Sequence, residues 1–186
     1  MDRVGNLLGH QENRGVLMRQ ANCSGVTMIE LLIGMALLAI LVTIGLPSLA
    51  TWMQNNQLRS AAESIQTGLQ YARAEAVKRN TFVGFTMAGP DSSWTVDIMN
   101  PPQQIQARTA AEGTPAPQIA TTNSTIIFNG LGKTSLAAGA VIQVTNPTGG
   151  ACQPAGDMTC LNVTVSVGGQ VKMCDPRFAA PDTRGC

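Results

Sequence analysis

Histidine is almost missing from this chain of 186 residues; His10 is the only one. Beyond it no imidazole remains to act as a general base or metal ligand, and the other side chains supply no convincing nucleophile, base and orienter. Charged residues are sparse as well, at 12% of the chain with a net charge of +1. After residue 25 there are nine basic and nine acidic side chains, so no surplus of cations is available to neutralise a nucleic-acid backbone. Asp91, Asp97, Asp157, Asp175 and Asp182 are too scattered for a calcium loop. The cysteine intervals after residue 25, which are 8, 14 and 12, lack the close spacing of a zinc site. We therefore expect no metal, no cofactor and no enzymatic activity.

What the chain does have is a long apolar run. Val26 to Leu46 as a helix would measure roughly 30 Å, the thickness of a bilayer's hydrocarbon core. Arg3, Arg14 and Arg19 precede it, and positive flanks stay cytoplasmic, so the part after Pro47 is expected outside. A secretory signal cut near Ser48-Leu49-Ala50 would explain the run, but signal cores span only about 7 to 15 residues. Glu30 is a second objection. A carboxylate in lipid costs about 2.5–3.5 kcal/mol and needs a named partner. Cleavage between Gly25 and Val26 would create one: an α-amine one helical turn from Glu30, of the same or a neighbouring subunit.

The stretch "SGVTMIELLIGMALLAILVTIGLP" resembles the type III signal of type IV pilins and type II secretion pseudopilins. The resemblance implies an inner-membrane peptidase that cuts after Gly25 and methylates Val26, with Glu30 guiding subunit docking and Pro47 perturbing the helix. Val26 departs from the Phe or Met usual after the cut. The implied organisation is a cleaved leader (1–25), a membrane-spanning helical segment (26–47) and a periplasmic domain (48–186) that includes the second half of the long helix. Its fold class would be α+β, with a long N-terminal helix packed on antiparallel sheet.

Cys23 would leave with the leader, which keeps Cys152, Cys160, Cys174 and Cys186 in an oxidising compartment. In "LNVTVSVGGQVKMC", alternating apolar residues and Gly168-Gly169 read as a hairpin. Pairing Val167 with Gln170 sets Cys174 opposite Val163 and puts a Cys160–Cys174 bridge out of register. The favoured bridges are Cys152–Cys160 and Cys174–Cys186.

Leu58, Ala62, Ile65, Leu69, Ala72 and Ala76 recur at steps of four and three, so a helix resuming after Pro47 has one apolar face for a sheet, with Asn80 as its stop. "TFVGFTM", "WTVDIM", "STIIF" and "AVIQV" read as strands. The segment 100–123 shows no periodicity and reads as a long loop with a short strand near Ile105. Gly132-Lys133-Thr134 imitates the end of a phosphate-binding loop, but Ile127 stands where that motif needs glycine.

"QTGLQYARAEAVKRN", "IIFNGLGK" and "VKMCDPRFAAPDTRGC" narrow the resemblance to the GspH/FimT group of minor pilins and pseudopilins. The function this implies is a minor type IV pilin of the complex that primes or tips the pilus. Its partners would be other minor pilins or pseudopilins, the major subunit, the prepilin peptidase and the inner membrane. The alternatives are pseudopilin H of type II secretion and a FimT-like DNA-uptake pilin. For DNA, the candidate contacts are Lys172, Arg177 and Arg184. The Gly-Arg-x-Arg pattern of DNA-binding members is missing, so these charges are expected to solvate or pin a disulfide-closed loop.

Overall fold

The structure is a computed structural model that describes residues 25–179 and 181–186. Arg3, His10, Arg14, Arg19 and Cys23 of the expected leader lie outside the described residues. The chain forms two compact units, divided after Leu41. Helix α1, Met28–Arg79, contributes to both.

Thr27 caps α1 at its start: its hydroxyl accepts the Glu30 amide at 3.3 Å, and its carbonyl accepts the Leu31 amide at 3.1 Å. The helix does not pause at Pro47, which has no N–H to give but lies inside a continuous span. One turn later the Thr51 hydroxyl donates to the Pro47 carbonyl at 3.2 Å. The far end is closed by Asn80, as its sequence position suggests. At φ 48° Asn80 adopts the left-handed conformation that asparagine tolerates, its amide bonds the Val77 carbonyl, and the Thr81 amide bonds Ala76. That bond pair satisfies carbonyls the helix would otherwise leave open.

In the second unit the helix presents the apolar face expected of it. Leu58, Ala62, Ile65, Leu69, Ala72 and Ala76 are all fully buried. They share one core with residues of two four-stranded antiparallel sheets. The first sheet contains β1 (Val83–Met87), β2 (Trp94–Met99), β3 (Pro102–Arg108) and β5 (Thr125–Phe128), in the order β3-β2-β1-β5. The second contains β4 (Gln118–Thr121), β6 (Ala140–Thr145), β7 (Leu161–Val165) and β8 (Val171–Cys174), in the order β4-β6-β7-β8. Gly68 sets the closeness of helix and first sheet, because a Cβ there would stand 2.7 Å from the Phe85 ring and 3.1 Å from that of Trp94. The Trp94 indole N–H donates to the Ser64 hydroxyl at 2.9 Å, which satisfies the one polar group this ring buries.

Two sequence expectations need correction. The segment 100–123 is less of a loop than expected: the short strand near Ile105 is there as the seven-residue β3, and β4 is a second strand that was not foreseen. β3 is an edge strand, exposed at most positions, with a bulge opposite Val96 and Asp97; β4 buries only Ile119. Neither offers the alternation by which a strand is recognised. The β7–β8 hairpin is also one residue longer in its loop than expected. Ser166 pairs with Gln170, so Val163 faces Met173 and Cys174 faces Asn162. Gly169, at φ 80°, takes the left-handed position that closes such a three-residue loop.

Candidate functional site

Glu30 is the third residue of α1. The first turn of a helix exposes unpaired amides and the positive end of its dipole, a setting that favours a carboxylate. Thr27 and Glu30 stand in the spacing of a capping box, and the Thr27 half of that exchange is made. Gly25 and Val26 precede the helix and are exposed, with nothing within 4 Å of a Cβ placed at Gly25. From Val26 through Leu46 every residue is exposed, and α1, which begins at Met28, is long and apolar enough here to cross a membrane. A surface of leucine, isoleucine and valine with a single carboxylate near its start needs lipid or other helices around it.

The structure joins Cys152 to Cys160 and Cys174 to Cys186. The Cys152–Cys160 loop is held to α1 by Asn55, whose amide oxygen accepts the Thr159 amide at 2.7 Å and whose nitrogen donates to the Asp157 carbonyl at 3.2 Å. The Cys174–Cys186 bridge ends β8 and returns the last residues beside it. Asp175 N–H donates to the Arg184 carbonyl at 2.8 Å, and Lys172 Nζ donates to the Gly185 carbonyl at 2.9 Å.

Lys172 on β8 and Arg177 and Arg184 of the disulfide-closed tail are thus brought together, but the two arginines are paired with carboxylates. Arg177 donates to both carboxylate oxygens of Asp175, two residues before it, and also to the Gln153 side chain. Arg184 repeats the arrangement with Asp182, at 3.1 and 2.8 Å. Both guanidinium groups lie against the Phe178 ring, 5.2 Å and 4.0 Å from its centroid. The Arg177 bonds hold Asp175 below the usual carboxylate range, and the Arg184 bonds bring Asp182 down to about 2. The repeated Asp-x-Arg spacing in "DPR" and "DTR" was the available sequence signal for these pairs.

A further anchor was not legible beforehand. Arg73, within "ARAEAVKRN", donates to the Gly132 carbonyl at 3.1 Å, so the turn that imitates a phosphate loop is tied to the helix. Glu75 is nearly buried and accepts from Arg79 at 2.6 Å and Lys78 at 3.2 Å; the Arg79 bond is the main reason its carboxyl lies below the ordinary value. Among the described residues no group of three or more His, Cys, Asp or Glu side chains is placed to hold a metal ion.

Residues 61–169 match the family described as Type II transport protein GspH, and residues 20–46 match the prokaryotic N-terminal methylation motif. No curated protein sequence matches the chain. Among solved structures, the type IV minor pilin FimU of Pseudomonas aeruginosa aligns with a TM-score of 0.53 at 16% identity, covering 70% of this chain and 98% of that one. The minor pseudopilin EpsH from the type 2 secretion system of Vibrio cholerae aligns with a TM-score of 0.50 at 13% identity, covering 64% of this chain and 98% of its own. At such identities the likeness is one of fold: a long N-terminal helix packed on antiparallel sheets, shared by minor pilins and pseudopilins.

Proposed function

Because the chain belongs to the GspH family of type II transport proteins, we propose that it is a minor type IV pilin, processed at the inner membrane and built into the complex that primes or tips a pilus. The observation that carries this reading is the methylation motif laid over an exposed apolar helix whose third residue is Glu30. Residues 1–25 act as the leader, 26–47 as the membrane-spanning segment and 48–186 as the periplasmic domain. Cleavage after Gly25 leaves the Val26 amine as the methylated terminus. In lipid that cation and Glu30 are mutually stabilising, within one chain or between neighbours, and this guides docking. Pro47 removes one hydrogen bond from α1, making it the place where the helix yields on entering the fibre. The function is assembly with other pilins and the major subunit; the chain has no chemistry of its own.

The bridged tail supports the pilus over the secretion system, because the two late cysteines resemble those of pilus members. The family description favours the second reading, pseudopilin H of a secretion fibre. DNA uptake is disfavoured, since Arg177 and Arg184 are each ion-paired with an aspartate of the same loop. The test follows the full chain into fibres sheared from the cell surface. Glu30→Ala should insert in the membrane and be cleaved, yet be at least tenfold depleted from the fibres. Normal recovery of that variant would refute the docking role. Recovery of the wild-type chain only in a secretion complex would favour the second reading.

A further inference from the structure

The C-terminal end of α1 and three turns of the sheets meet at one end of the second unit. The turn at residues 129–133 is tied to the helix by the Arg73–Gly132 bond, and Asn80 lies directly against Gly130. The Thr134 amide bonds the Val167 carbonyl at 3.1 Å, which brings in the β7–β8 loop, and the Met99 amide bonds the Phe82 carbonyl at 3.0 Å, which brings in the end of β2. From these segments Val77, Phe82, Met99, Leu131 and Val167 all turn apolar side chains to solvent, and Leu131 at 78% is the most exposed.

The charge here is one-sided. Arg73, Lys78, Arg79 and Lys133 are four of the nine cations that follow residue 25, and among the described residues Glu75 is the carboxylate ion-paired with any of them. The tail is the opposite case, because each of its arginines has its own aspartate. A solvated loop end needs neither a patch of five apolar side chains nor an unbalanced cationic rim. Together they match a protein surface that is apolar at its centre and acidic at its edge.

We propose that this end, centred on Leu131 and rimmed by Lys78, Arg79 and Lys133, docks a different subunit of the same fibre through an apolar patch edged with Asp and Glu. The proposal rests on the assembly function above. A second copy of the chain is a poor occupant, since a two-fold contact would set Lys78, Arg79 and Lys133 against themselves. Nucleic acid fits poorly too, because four of the five apolar side chains are not aromatic and offer no stacking face.

A photo-crosslinking residue placed at position 131 of the full chain, irradiated in assembled fibres, reads the occupant. The expected product is a covalent adduct to another fibre subunit, mapped by mass spectrometry to a peptide carrying Asp or Glu. A companion variant, Leu131→Glu, should keep its Tm and its cleavage, because the side chain is exposed, yet enter fibres at least tenfold less. An adduct only to lipid, DNA or another copy of the chain, no adduct, or normal incorporation of Leu131→Glu overturns the proposal while leaving the assembly function standing. Absence of the wild-type chain from any fibre overturns both.

Discussion

Removing the Cys174–Cys186 bridge should open the tail without opening the core. The two cysteines are 12 residues apart, and closing a loop of that length restricts the unfolded chain by about 3 kcal/mol. What else holds the tail is modest: the Asp175–Arg184 and Lys172–Gly185 bonds, two Asp–Arg pairs, and Phe178, which is only half-buried. No large apolar side chain between Asp175 and Cys186 belongs to the core among the described residues. With Cys174→Ala/Cys186→Ala the native domain can release these residues by local fraying, so the core loses less than the full ~3 kcal/mol. Hydrogen exchange on the full chain in detergent reads both quantities. Protection of the Asp175 amide should fall by up to about a hundredfold, the ratio that ~3 kcal/mol represents. Amides of Ile65 and Leu69, fully buried on α1, should be slowed or quickened only by the smaller global change. A fall of less than about threefold at Asp175 would mean that the polar contacts alone hold the tail. An equal fall at Ile65 and Leu69 would make tail and core a single cooperative unit. Either result refutes the reasoning.

Gly25→Val should block processing, and intact mass would show the leader still attached; a normal mature mass would move the cleavage site elsewhere. The tail should also respond to acid. Asp175 and Asp182 are held below their ordinary values, so their stabilisation is complete above about pH 4 and is lost as pH falls through the folded values, which in the case of Asp182 means about 2. Exchange protection of the Gly185 amide should therefore be level from pH 7 to about 4.5 after correction for intrinsic rates, and a decline beginning near pH 6 would contradict the assignment. Finally, the full chain should bind duplex DNA no more tightly than the high micromolar range at physiological salt, the weak end of non-specific binding. Low-micromolar binding that weakens with salt and with Arg177→Ala or Arg184→Ala would restore the DNA-uptake reading.

Properties of one local segment could be read from the amino acids alone. The 21-residue apolar run, the four-and-three spacing from Leu58 to Ala76, the asparagine stop and the alternation in "WTVDIM" are each carried by neighbours in sequence, and the α+β class follows from them. β4 escaped, and β3 was legible only as a short strand near Ile105, because both are strands by virtue of their partners: β3 hangs on β2 at the sheet edge with glutamines outward, and β4 buries a single isoleucine against β6. The β7–β8 register turned on one residue, Ser166, whose choice of Gln170 as partner depends on the whole loop closing around Gly169. The Asp-x-Arg pairs of Arg177 and Arg184 are local to the sequence, whereas only the tertiary structure decided that Val77, Phe82, Met99, Leu131 and Val167 share one end of the domain. Those residues come from four separate stretches of the chain. Their proximity is fixed by the core that α1 and the two sheets make together, and by hydrogen bonds such as Arg73 to Gly132 that span 59 positions of sequence.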